Sequence, residues 1–186
     1  HLAAFEIPGQ EKIIFHTDGG MNIAPDLEQK KEILVNAVLT LNKMGIEKPK
    51  VALLTANEKV TSKMPATVDA QSLVQMWEKG LFPPCVVEGP MALDVAVSPE
   101  AAHHKGINSK ISGQVDLFLL PNIEAGNICG KTLVYYARAK MAGLIIGAAN
   151  PIIMASRADS AHGKLNSIAL ACLAYNREKE TQSLNR

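Results

Sequence analysis

Net charge is almost absent from this sequence. Lys and Arg number 19 against 18 Asp and Glu, so no broad field of one sign exists to recruit nucleic acid or a membrane surface, and any anion site must be local. Cysteine is scarce: Cys85, Cys129 and Cys172 are odd in number and lack metal-ligand spacing. That argues against a disulfide scaffold or zinc module and for a reducing, cytoplasmic setting. Long apolar runs are missing as well, since 115–120 and 142–149 fall far short of the roughly 20 residues that span a bilayer. The start at His1, Leu2, Ala3 and Ala4 has no methionine, no basic n-region and no cleavage-type apolar segment, and reads as a cut edge rather than a targeting signal. Repeats, low-complexity tracts and Ser/Gly-rich linkers do not occur; the polar stretch 176–186 is the one disorder-prone piece.

What is present is material for a core: 47% of the 186 residues are hydrophobic, enough for one sizeable domain or one domain plus part of another. Two β-rich runs, 2–7 and 12–16, flank Pro8, Gly9 and Gln10, a hairpin pattern. Over 25–44, Leu27, Leu34, Val38 and Leu41 share one helical face, and Gly45 stands where a helix ends. A strand at 51–54 precedes a helix that Thr67 can cap, with Ala70, Leu73, Val74 and Trp77 as its stripe and Gly80 at its end. A strand at 85–87 then runs through Gly89 and Pro90 into a helical segment ending near Lys105. A strand at 115–120, a helix over about 124–140, strands at 144–148 and 152–154 and a helix over about 164–175 complete the chain. This alternation predicts an α/β layered fold with a largely parallel sheet and helices on both faces, whose ligand sites lie in the loops at the carboxyl ends of strands.

Three such loops carry chemistry-bearing residues. In Ser156, Arg157, Ala158, Asp159 and Ser160, a guanidinium, hydroxyls and a following helix N-terminus can together cradle an anion; equally, Arg157 can be a surface charge paired with Asp159 and Ser160 a plain N-cap. Around Asn122, Gly126 and Asn127, small residues admit a ligand or a neighbouring backbone and the amides offer directed hydrogen bonds, with Lys131 adding charge one turn later; a simple Asn-capped helix start fits the same residues. Thr17 and Asp18 can contact a phosphate, or Asp18 can stabilise a glycine turn with Gly19 and Gly20. One carboxylate is a poor metal site. His103 and His104 read as solvent-facing residues at a helix end, and Cys129 as a packed thiol.

Taken in order, FHTDGGMNIAPDLEQK, KMPATVDA, GPMALDVAVS, PNIEAGNICGK and SRADSAHGKLNSIALA resemble the phosphate acetyl/butyryltransferase family, on its butyryltransferase side, over about residues 2–175. The resemblance implies two α/β domains flanking a cleft, in a fold like that of isocitrate and isopropylmalate dehydrogenases. Residues 1–148 would form the second domain and 149–186 the C-terminal return into the first, with an N-terminal segment that holds phosphate and coenzyme A lying outside this chain. It also implies acyl transfer between coenzyme A and inorganic phosphate, with coenzyme A as co-substrate, no bound cofactor and no metal, in subunits associated at least as dimers. Ser156 and Arg157 match a Ser-Arg pair that binds the reacting phosphate in the acetyltransferase branch. The aspartate found there seven residues beyond the serine corresponds to Gly163, so that base does not carry over, and Asp159, then His162, are the candidates by position. Thr17, Asp18, Asn122, Gly126, Asn127, Lys131 and Ser160 are the expected substrate and phosphate contacts. The competing readings are a phosphate acetyltransferase, a truncated non-catalytic subunit, and a metal-dependent dehydrogenase, whose aspartate cluster this chain lacks.

Overall fold

A computed structural model describes residues 1–150, 152–155 and 160–184, with side chains through residue 175. The chain opens with the expected hairpin: β1 (Leu2–Glu6) and β2 (Ile14–Thr17) pair antiparallel with Ala3 opposite His16. Gly9 turns the connection at φ +82°, a conformation that favours glycine. Helix α1 (Leu27–Lys43) starts at a capping box, in which the Gln29 amide donates to Asp26 and the Asp26 amide donates to the Gln29 side chain. It buries Leu34, Ala37, Val38 and Leu41 and ends before Gly45, at φ +99°.

Strand β3 (Lys50–Leu54), helix α2 (Pro65–Glu78), strand β4 (Val86–Met91), helices α3 (Leu93–Val97) and α4 (Pro99–His104), strand β5 (Leu117–Leu119), helix α5 (Ile123–Tyr135), strands β6 (Lys140–Ile145) and β7 (Ile152–Ile153), and helix α6 (Ala161–Leu184) follow. One mixed sheet takes the strands in the order β4-β3-β5-β2-β1-β6-β7. The pairs β4·β3, β3·β5 and β5·β2 are parallel, while β1 runs antiparallel to both β2 and β6. Five of the seven strands therefore point the same way, and the α/β layering expected from the alternation is present.

Both faces of the sheet are covered because successive strand residues point to opposite sides. Val51, Leu53, Leu117 and Leu119 join Leu34, Val38, Leu41 and Leu73 on one side. Ala52, Leu54 and Phe118 join Val95, Ala102 and Ile111 on the other. Helix α6 is fastened to β6 by Ser167, whose buried hydroxyl accepts from the Gly143 amide and donates to the Gly163 carbonyl, each at 3.0 Å.

Several local expectations need correction. Thr67 is no cap: Pro65 opens α2, and the Thr67 hydroxyl, fully buried, donates to the Met64 carbonyl and accepts from the Thr61 amide. Proline at the first helical position has no amide to waste and a ready φ, so it outcompetes the threonine two residues on. Gly89 and Pro90 lie within β4, and the single helix expected up to Lys105 is two, split at Ser98, whose hydroxyl caps α4. Helix α5 stops at Tyr135 because Arg138 adopts φ +58° and the Ala139 amide turns back to the Leu133 carbonyl at 3.0 Å. That frees Lys140, expected at the end of a helix, to begin β6. Helix α6 starts earlier than expected and continues to Leu184, through most of the tail read as disorder-prone.

The fold sets one close contact that positions everything near it. The loop after β2 lies directly on α5: a Cβ on Gly126 would fall 2.6 Å from the Gly19 Cα and 2.7 Å from the Asp18 carbonyl oxygen, and a Cβ on Gly19 would fall 2.8 Å from the Gly126 carbonyl carbon. Backbone on both sides leaves nothing to rotate away. The Asn127 side chain donates to the Gly19 carbonyl across this contact at 3.2 Å, and the Ile123 amide donates to the Ile23 carbonyl at 3.0 Å.

His16 sits in β2 with its ring between Phe5, at 4.6 Å, and Phe118, at 5.3 Å between centroids. It is 3% exposed, its Nδ1 has no hydrogen-bond partner, and burial pushes its pKa from 6.5 down to about 4.

Two measurements check these contacts. Gly126→Ala should destabilise the protein by about 1–3 kcal/mol in urea unfolding, because two backbones must separate; Gly130→Ala should be far milder, since its Cβ would meet only the tip of the Phe5 ring at 3.1 Å. Equal stability of the two variants would show the Gly19–Gly126 approach to be compliant. The unfolded chain binds a proton at His16 from pH 6.5 downward, whereas the folded chain does not until about pH 4. His16 therefore contributes stability that is complete above pH 6.5 and is lost as pH falls from 6.5 to 4, roughly 3 kcal/mol in all. His16→Phe should flatten the unfolding free energy across that interval; an unchanged slope would place its origin elsewhere.

Candidate functional site

The tip of β2 and the start of α5, brought together by the two glycines, form one wall of a cavity of about 290 Å³. Strand β1 supplies Phe5 to it, β2 supplies His16, and Met141 and Met154 close it from the β6 and β7 side. Gly126, Asn127 and Lys131, three of the residues singled out in the sequence, also line it. They share one face of α5 because positions 127 and 131 are one turn apart. Lys131 makes no ion pair among the described residues and is the one Lys or Arg in the described lining.

Asn122 caps α5, its side chain accepting from the Ala125 amide at 2.9 Å, so its contribution is the orientation of the helix that carries Asn127 and Lys131. Thr17 is fully buried, and its hydroxyl donates to the His1 carbonyl at 3.0 Å. Asp18 is 2% exposed. One of its carboxylate oxygens accepts from the Gly20 and Met21 amides; the other accepts from the Asn22 amide and side chain and meets the His1 amine at 3.1 Å. Burial raises the Asp18 pKa, but hydrogen bonds from the Gly20 amide, the Asn22 side chain and the Met21 amide act against it, and the carboxyl lies below its ordinary value. Of the two roles read from sequence, Asp18 performs the turn-stabilising one, and neither Thr17 nor Asp18 borders the cavity. Both hold the loop that does.

Ser160 caps α6, its hydroxyl accepting from the Gly163 amide at 3.1 Å. Ser156, Arg157 and Asp159 lie outside the described residues, although Met154 and Ala155, which lead into them along the chain, line the cavity. Cys129 is half-buried, and burial raises its pKa, which keeps it a thiol, as a packed residue should be. His103 and His104 are exposed at the end of α4. No group of three or more His, Cys, Asp or Glu residues suited to a metal occurs among the described residues, and no helix among them is long and apolar enough to cross a membrane.

Phe5, His16, Met141 and Met154 were not found from the sequence. They come from β1, β2, β6 and the residue after β7, and only sheet register makes them neighbours. The one local signal was a histidine inside an otherwise apolar strand, one residue from the Thr17-Asp18-Gly19-Gly20 loop.

The arrangement pairs an apolar and aromatic wall from the sheet with an amide and a cation from α5. It suits a ligand with an uncharged portion and an anionic one.

Residues 1–172 match the family model described as phosphate acetyl/butaryl transferase. The chain is 46% identical to the phosphate butyryltransferase of Clostridium acetobutylicum, over 93% of this chain and 58% of that protein. It is 50% identical to the probable phosphate butyryltransferase of Bacillus subtilis, over 94% of this chain and 58% of that protein. A branched-chain phosphotransacylase from Enterococcus faecalis superposes with a TM-score of 0.86 at 36% identity, covering 93% of this chain and 62% of that one. The chain thus spans about three fifths of the length of these relatives, and over that span fold and sequence agree: it belongs to the phosphate acetyl/butaryl transferase family.

Proposed function

We propose that the protein to which this chain belongs transfers a short acyl group, butanoyl or similar, between coenzyme A and inorganic phosphate. The observation that carries this reading is the cavity where Asn127 and Lys131 of α5 face Phe5, Met141 and Met154, with Ser156 and Arg157 two residues or fewer beyond its lining residue Ala155 in the chain. An acyl chain suits the apolar side; the phosphate suits a cation, an amide and a guanidinium.

The reaction is a direct transfer. A phosphate oxygen attacks the thioester carbonyl carbon, the carbon–sulfur bond breaks, and coenzyme A leaves as thiolate, giving an acyl phosphate. Arg157 holds phosphate oxygens, and Ser156 donates to phosphate or to the oxyanion of the tetrahedral intermediate. Asn127 and Lys131 bind anionic substrate oxygens, and Gly126 lets the loop approach. Thr17, Asp18, Asn122 and Ser160 act by fixing loop and helix ends. Asp159 takes the thiol proton in the reverse direction, although a thiol of pKa near ~8.5 needs little help once cations are close. Coenzyme A is a co-substrate, and neither a metal nor a resident cofactor has a step to perform.

The whole protein, in this reading, is a cytoplasmic homo-oligomer of two α/β domains in the manner of isocitrate and isopropylmalate dehydrogenases. Residues 1–148 belong to its second domain and 149–186 return to its first. An acetyl group is the alternative cargo, because the family model covers both acyl chains and an apolar wall distinguishes one methylene by only about 1–3 kcal/mol.

The complete protein should release coenzyme A from acetyl, butyryl and isobutyryl thioesters only when phosphate is supplied, with the ranking of the three identifying the cargo. A folded complete protein that releases none overturns the assignment. Arg157→Ala should lower kcat/KM by at least about 100-fold with an unchanged melting temperature, and near-normal activity would remove its central role. Lys131→Ala should cost about 10-fold or more, read mainly as a raised KM for an anionic substrate; a pure kcat loss would contradict a binding role.

A further inference from the structure

The packing of His16 is not explained by the needs of the core. Two phenyl rings flank it, Phe5 on β1 and Phe118 on β5, and a phenylalanine at position 16 would meet both equally well. The imidazole instead encloses an unpartnered nitrogen, Nδ1, as does His1 in the same lining, whereas buried polar groups are nearly always paired; with Nδ1 closed off, the nitrogen left to meet a ligand is Nε2. Its neighbours in the same strand end show the usual rule: Thr17 and Asp18 are equally buried and fully hydrogen-bonded. The difference is location, since His16 borders the cavity and they do not.

The side chains around it narrow the chemistry. Phe5, Met141 and Met154 in the lining are apolar, His1 brings a second imidazole, and the lining lysine, Lys131, comes from α5. Burial keeps the imidazole of His16 neutral at physiological pH, so it offers an anion no charge but retains one N–H donor. Its natural partner in an apolar recess is an uncharged acceptor.

We propose that His16 is a substrate-binding residue whose neutral imidazole donates a hydrogen bond to a carbonyl oxygen of the acyl-carrying substrate. This rests on the acyl-transfer reading above and adds to it a contact from the sheet. Two carbonyl sources share this chemistry, the acyl group itself and the amides of the pantetheine arm of coenzyme A. They are separable because an acyl phosphate has only the first and free coenzyme A only the second.

The test uses the complete protein in the reverse direction, with butyryl phosphate and coenzyme A varied in turn, comparing the parent with His16→Phe. The variant should melt within a few degrees of the parent and lose at least about 10-fold in kcat/KM for one of the two substrates. Loss for butyryl phosphate identifies the acyl carbonyl, and loss for coenzyme A identifies an amide of the arm. Values within about twofold of the parent for both would overturn the proposal. Should His16→Phe not fold, the ring nitrogen resonances of His16 in the parent, titrated with coenzyme A and then butyryl phosphate, decide. A displaced nitrogen resonance on saturation supports the contact, and unmoved resonances refute it. The underlying reading fails separately: a parent that turns over neither substrate yet shifts its His16 resonances with coenzyme A sinks acyl transfer and keeps the contact. A fully active parent with an equally active variant does the reverse.

Discussion

The approach of Gly19 to Gly126 is the constraint on which the rest of this structure depends. Two backbone segments more than a hundred residues apart meet at a distance where a single methyl group on either has no room. Once they touch, the loop after β2 and the first turn of α5 become one rigid surface, and the side chains on the next turn of the helix acquire fixed positions over the sheet. Asp18 completes the arrangement from within the loop by gathering the Gly20, Met21 and Asn22 amides, a cluster of donors that would otherwise splay. Neither interaction touches a ligand, yet both decide where one can lie.

How much of this was legible in the sequence follows from how local each signal is. The hairpin and α1 could be read directly, because an alternating pattern, a turn glycine and an apolar stripe all lie within a few residues of what they specify. The end of α5 could not, since Arg138 takes up a left-handed conformation with no glycine to announce it. The α5 part of the cavity was visible as a loop with small residues, asparagines and a lysine. The sheet part was not: His16 lies beside Phe118 only because β2 pairs with β5, and nothing in either segment states that pairing. Ser156, Arg157 and Asp159 owe their place in the argument to resemblance, as spacing alone left a surface ion pair equally open.

The cavity combines two kinds of wall with different electrostatic demands. The sheet contributes groups that are uncharged at neutral pH, including a histidine held neutral by burial, and α5 contributes a lysine with no ion pair among the described residues. Separating them onto different elements keeps the cation away from the apolar recess, where its desolvation would be costly. The same separation lets each wall respond independently to substitution.

Strand β1 raises a matter of timing. It is made long before β6 and ends up between β2, its hairpin partner, and β6, with Leu2 opposite Leu144, while the outer edge of β2 waits for β5. On a ribosome adding ~5–20 residues per second, the hairpin therefore stands with both edges unpaired for on the order of ten seconds. Unpaired edges with apolar faces are templates for wrong partners, and pairings this distant in sequence are slow to form. The emerging chain is thus most vulnerable at this hairpin, and the later strands β5 and β6 are what make it safe.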